Sequence, residues 1–169
     1  MAEGRVVISE EPCGSAFFIG PDVAITARHV IKAALDDDGN PRPGFEFALE
    51  LRDGSQHAAA VEACDPVLDV ASVRVTEPST EWLRVGIPTR GAAWEVTTRF
   101  LDTDPVIGGT IVDPSRPIRN NAGHQTTLIQ LHVVQSLGSY EGYSGSPVCV
   151  RTTAPGSART PMAVGLLVS

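Results

Sequence analysis

Basic character is the first thing this chain lacks. The formal net charge is −7, and nowhere do Arg and Lys cluster or alternate with aromatic residues. The electrostatic footprint that holds nucleic acid or an anionic membrane is therefore missing, which excludes both as partners. Apolar runs of membrane-spanning length are also absent. The opening Met-Ala-Glu-Gly-Arg, followed by Val6-Val7-Ile8 and Glu10-Glu11, has no long apolar stretch of the signal-peptide kind. A soluble protein made in the cytoplasm is expected. Cysteine is scarce: Cys13, Cys64 and Cys149 are an odd number at wide spacing without a C-x-x-C, which argues against a disulfide framework and a zinc site. All three are expected to be buried, reduced and structural. Neither a metal nor a cofactor is implied.

Helix formers give way to Gly, Pro, Val and Thr, and an all-β domain follows from that bias. Its 169 residues can bury one substantial core or two small coupled ones. Alternating or β-branched runs predict strands at Arg5–Ile8, Ser15–Ile19, Val23–Thr26, Phe45–Leu51, His57–Cys64 and Val70–Val75, which make one six-stranded unit. Asp53-Gly54 is the expected hairpin turn between the fourth and fifth. A short helix is predicted over Ala27–Leu35, ended by the acidic segment Asp36-Asp37-Asp38, which lacks the spaced ligands of a calcium loop and reads as a solvated loop. Thr76–Thr80 reads as the link between a first unit, 1–78, and a second, 79–169. Weaker strand signals resume at Trp94–Phe100, Thr110–Val112, Thr127–Val134, Val148–Arg151 and Ala163–Val168, with a mobile loop expected at Asp113–His124.

Three short motifs stand out against this background. Ala27-Arg28-His29 lies near the start, Asp65-Pro66-Val67-Leu68-Asp69-Val70-Ala71 in the middle, and Gly142-Tyr143-Ser144-Gly145-Ser146-Pro147-Val148 near the end. Singly each has a plain reading: a histidine that bonds locally, an aspartate at a strand entry, a Gly-Ser turn. Their fixed order is what carries weight. A serine hydroxyl is a weak nucleophile at neutral pH and needs a base within hydrogen-bond reach, which a neutral imidazole supplies.

Together with Gly14-Ser15-Ala16-Phe17-Phe18-Ile19-Gly20 and Val23–Val30, these motifs resemble the trypsin-like (chymotrypsin-fold) serine peptidases, closest to the bacterial intracellular branch. From Trp82 to Val168 the chain further resembles trypsin-like modules found beside NTPase or signalling domains in bacterial conflict proteins. The resemblance covers almost the whole chain. It implies two tandem antiparallel six-stranded barrels, with His29 and Asp69 in the first and Ser144 in the second. It also implies a serine endopeptidase acting on a protein or peptide substrate, with a signalling or NTPase domain fused to it or neighbouring it in bacterial defence.

The roles it implies are His29 as base, Asp69 as the acid that orients it and Ser144 as nucleophile, with the backbone N–H groups of Gly142 and Ser144 as oxyanion hole. Asp69 is preferred to Asp65 because it directly precedes the Val70 strand, whereas Asp65 precedes a proline and suits a turn. The substrate pocket maps loosely onto Gly138, Ser139 and Glu141, with Leu167 and Val168 along the substrate.

Departures from the family pattern are informative. Where digestive trypsins carry an acid before the nucleophile, this chain has Tyr143, so activation by a newly cut N-terminus is not expected. Val106-Ile107-Gly108-Gly109 imitates such an N-terminus but lies between Asp69 and Ser144, and is a decoy. Cys13 resembles the first member of the family's disulfide around the histidine loop, but the partner position is Val30. The chain stops at Ser169, where the family adds another strand, so the second barrel is expected to be truncated at its C-terminal end: a piece of a longer protein, a barrel completed by a partner, or a reduced form. A non-catalytic binding or regulatory module that keeps the fold is the alternative reading.

Overall fold

The computed structural model describes residues 2–97, 106–119, 123, 125–134, 142–151 and 161–168. The first unit is a closed barrel of six antiparallel strands: β1 (Glu3–Ile8), β2 (Glu11–Phe18), β3 (Val23–Ala27), β4 (Phe47–Leu51), β5 (Gln56–Asp65) and β6 (Val70–Val75). Their order around the barrel is β1-β2-β3-β6-β5-β4, and β1 closes it by pairing with both β2 and β4. Strict alternation drives this packing. Val6 and Ile8 of β1, Val73 and Val75 of β6, and Leu49 of β4 point inward and are buried, while their neighbours face out. The predicted Asp53-Gly54 turn joins β4 to β5, with Gly54 in the left-handed region at φ +84°. In place of the predicted helix stands a 3-10 helix, Arg28–Ala34, irregular at Ile31.

The second unit is a six-stranded sheet of β7 (Arg84–Val85), β8 (Ala93–Thr97), β9 (Val106–Arg119), β10 (Gln125–Val133), β11 (Pro147–Arg151) and β12 (Pro161–Leu166) in the order β10-β9-β8-β11-β12-β7. Together the closed barrel and this sheet form the double-barrel fold of the chymotrypsin type. As expected of the second barrel, the sheet does not close among the described residues: no strand joins β12 to β10, and the edge is held by β7, which pairs parallel to β12. The segment 113–119, in contrast, is not the expected loop. It continues β9 despite Pro114 and Pro117, because β8 pairs only as far as Thr110 and the segment before it reaches only Ile111, so that further along β10 is the one strand paired with β9 among the described residues. The decoy segment Val106–Gly109 is simply the start of β9, paired with β8.

The two units share apolar surface. In β11, Val148 and Val150 enter the core of the second unit with Trp94, Val96, Ile107 and Ile111, whereas Cys149 between them packs into the core of the first. Likewise in β12, Val164 faces one core and Ala163 the other. A strand buried on both faces has no polar alternation, which is why Pro-Val-Cys-Val reads as a continuous apolar run.

At this junction burial pushes the Glu3 carboxyl up to about 7 and the Cys149 thiol up to about 12, the latter raised further by the Glu3 charge. A carboxyl raised on folding ionises first in the unfolded chain. Its contribution to stability is therefore fully present below its ordinary value of 4.5, declines as pH rises, and levels off near 7. Glu3→Gln is expected to remove this decline and to raise stability above pH about 7 by on the order of 1–3 kcal/mol, as measured by denaturant unfolding across pH.

Candidate active site

The middle motif builds a rigid turn. Asp65 ends β5, and its Oδ1 accepts hydrogen bonds from the N–H groups of Val67 (2.7 Å) and Leu68 (3.0 Å). This side-chain turn, started by Pro66, delivers Asp69 to the mouth of β6 in the left-handed region at φ +52°, which Asp tolerates better than most residues. The backbone there is held by Arg28, whose N–H donates to Asp69 O at 2.9 Å.

Asp69 in turn grips His29 at two points. Its Oδ1 accepts the His29 backbone N–H at 3.0 Å, and its Oδ2 lies 2.6 Å from His29 Nδ1. A carboxylate facing Nδ1 favours the tautomer with the proton on that nitrogen, leaving Nε2 as an acceptor. His29 is exposed and Asp69 half-buried, so the pair opens to solvent on the imidazole side. Of the two candidate aspartates, then, Asp69 meets the histidine and Asp65 shapes the turn beneath it.

The serine motif is a tight turn between two left-handed glycines, Gly142 (φ +86°) and Gly145 (φ +89°), closed by the Ser146 N–H donating to Tyr143 O at 3.0 Å. Tyr143 is buried to 1 % exposure and belongs to the core of the second unit. An apolar anchor thus occupies the place where an acid was missed in the sequence. Ser144 itself is 6 % exposed. The Gly142 N–H has no acceptor among the described residues.

Ser15 of β2 carries this turn across from the first barrel. Its N–H donates to Ser144 O at 2.9 Å, and its carbonyl accepts the buried Thr26 hydroxyl at 2.7 Å. Gly145 passes directly over that carbonyl: a Cβ there would lie 1.8 Å from Ser15 O. Gly14 fills the same joint, since a Cβ on it would come to 2.7 Å from Val30 Cγ2 and 2.9 Å from Ser144 O. One glycine therefore touches both the residue after His29 and the serine turn, and brings the two motifs together. None of Ser15, Thr26 or Tyr143 was singled out as a positioning residue from sequence. The dense Gly14-Ser15 and Gly145-Ser146 pairs were the available signal.

Other predicted positions fall as follows. Leu167 lies beside the turn, with Gly145 N–H donating to its carbonyl and its own N–H to Ser146 O, and Val168 is exposed. Gly138, Ser139 and Glu141 lie outside the described residues. The cysteines are free, but only Cys149 is buried, whereas Cys64 is half-buried and Cys13 exposed. Cys13 sits at the ragged start of β2, beyond the buried positions, and Gly14 beside it packs closely on Val30. No helix among the described residues is long and apolar enough to cross a membrane.

A closed antiparallel barrel beside a second β sheet, with an imidazole–carboxylate pair on the first and a Gly-flanked serine turn on the second, defines the chymotrypsin-like class of folds. Sequence comparison is more particular, because residues 14–154 match the family described as the trypsin-like peptidase domain, and the chain belongs to that family. No characterised protein sequence aligns significantly with it. Among solved structures it is similar to the apo MamO protease domain from Magnetospirillum magneticum, at 19 % identity and a TM-score of 0.61, covering 95 % of this chain and 88 % of that one. The inactive form of the Rv3671c protease, from M. tuberculosis H37Rv, gives 16 % identity and a TM-score of 0.62 over 87 % and 71 %. The HtrA-type protease AlgW, solved with a decapeptide, gives 20 % and 0.56 over 92 % of this chain and 47 % of that one. At these identities the likeness is one of fold.

Two substitutions test the geometry. Gly145→Ala forces a Cβ into the Ser15 carbonyl at a left-handed position and is expected to destabilise the fold by about 3 kcal/mol or more. Asp65→Ala strands two amides, at an expected cost of about 1–3 kcal/mol, most of which Asp65→Asn recovers by keeping the acceptor oxygen. Urea midpoints of the three variants check both.

Proposed function

We propose that the chain is a serine endopeptidase that hydrolyses peptide bonds of a protein substrate through Ser144, His29 and Asp69. The two-point grip of Asp69 on His29 carries this reading. With Nδ1–H held by Asp69, the Nε2 lone pair takes the proton from Ser144 Oγ as that oxygen attacks the substrate carbonyl. The tetrahedral oxyanion is received by the backbone N–H groups of Gly142 and Ser144, in a turn already locked by Tyr143 and Ser15 and so needing little reorganisation. Collapse of the intermediate breaks the C–N bond, and the leaving amine takes the proton from His29 Nε2. Water then repeats the sequence against the acyl-enzyme, restoring Ser144. Throughout, Asp69 stabilises the imidazolium without itself taking a proton. Membership in the trypsin-like peptidase family supports the same reading.

A fluorophosphonate probe should label Ser144 and no other serine, and Ser144→Ala should abolish labelling, as read by mass spectrometry of the modified peptide. Labelling that survives that substitution overturns the assignment. Asp69→Asn should lower peptide turnover by roughly 10⁴-fold, the scale of losing the orienting carboxylate in a serine triad, whereas Asp65→Asn should largely spare turnover and act mainly through the small loss of stability noted above.

A further inference from the structure

Ser15 reaches the serine turn through two bonds, and only one of them needs a serine. Its backbone N–H, donating to Ser144 O at 2.9 Å, makes a contact open to any residue but proline. Its hydroxyl is different. Ser15 is 4 % exposed, and its Oγ donates to Gly142 O at 3.5 Å, a long bond but the one this buried hydroxyl makes among the described residues. The main chain that carries Oγ is fixed on both sides, by its N–H on Ser144 O and by the Thr26 hydroxyl on its carbonyl at 2.7 Å.

Gly142 is the part of the turn with most freedom to lose. It has no side chain and sits in the left-handed region at φ +86°. Its N–H, without an acceptor among the described residues, is one of the two donors assigned to the oxyanion. The other donor, Ser144 N–H, belongs to a peptide already held, since its carbonyl, Tyr143 O, accepts the Ser146 N–H at 3.0 Å and the Tyr143 ring is sunk in the core. From Tyr143 onward, then, packing and main-chain bonds suffice. A bond on the Gly142 carbonyl adds what they lack: it fixes the planar Gly142–Tyr143 peptide, and with it the Cα from which the Gly142 N–H hangs.

We infer that Ser15, through its hydroxyl, is a positioning residue that keeps the Gly142 N–H aimed at the oxyanion. This rests on the proteolytic reading above. Removing an oxyanion donor outright costs roughly 10²–10³ in rate. A single long, neutral hydrogen bond that steers a donor is worth less, about three- to tenfold.

Hydrolysis of p-nitrophenyl acetate by the full chain, with the rate of Ser144→Ala subtracted, tests this. Its phenolate leaves without needing a proton, so the rate reports on the oxyanion. Ser15→Ala keeps both main-chain bonds and should lower kcat by roughly three- to tenfold, leaving KM and the His29 midpoint of the pH–rate profile in place. Ser15→Cys puts a weaker donor at the same point and should fall between Ser15→Ala and the natural chain. Melting temperatures verify that both variants fold, and if Ser15→Ala does not, Ser15→Cys decides alone. An undiminished kcat in the deciding variant overturns the inference. So does a loss accompanied by a raised KM or a displaced pH midpoint, because the whole turn has then moved. A natural chain no faster than Ser144→Ala overturns the proteolytic reading as well.

Discussion

Everything at this site depends on the joint at Ser15. One residue of the first barrel donates its N–H to Ser144 O, receives the Thr26 hydroxyl on its carbonyl, and lets Gly145 pass over that carbonyl at a distance no Cβ would allow. Each barrel could fold correctly and still leave the serine turn misplaced by an ångström, which is enough to spoil a proton transfer. The joint removes that freedom with buried hydrogen bonds and steric exclusion, both of which lose free energy steeply on displacement.

Around it the two motifs are braced by different means. Asp69 is held by polar contacts: the Asp65 turn behind it, Arg28 N–H on its carbonyl and His29 on its carboxylate. Its left-handed backbone stores some strain, which the surrounding hydrogen bonds over-determine. The serine turn is anchored by Tyr143 sunk into the second core. An aromatic ring in a packed interior has no charge to neutralise and no new chain end to await, so the turn is organised by folding itself. The exposed imidazole between these two rigid pieces is the group the proposed chemistry requires to move protons.

The two β units solve the problem of the sheet edge differently. In the first, β1 pairs on both sides and no edge remains. In the second, β11 and β12 spend both faces on burial, joining one core to the other, and the short parallel β7 covers part of the β12 edge. The half-buried Glu3 and the buried Cys149 sit where the units meet, and burial raises the pKa of both.

Much of this was legible from local chemistry. Alternation placed ten of the strands within a few residues, whereas β9 ran far beyond its predicted ends, and Asp53-Gly54 marked its hairpin. The motif order also singled out the residues that now stand as Asp69, His29 and the serine turn. These are local signals: a strand's period of two, a glycine's access to positive φ, and proline's bias against a preceding helix act within a few residues. Strand status for Pro114 and Pro117, the existence of β7, the burial of Tyr143 and the exposure of Cys13 were decided by partners far along the chain. Ser15 and Gly142, 127 residues apart, are the extreme case. Which face is buried, where a strand loses its neighbour and which carbonyl a glycine must clear are properties of long-range register. Sequence by itself therefore determined the elements and the chemistry-bearing residues, and only the tertiary packing decided how Ser15 of the first unit holds the serine turn of the second.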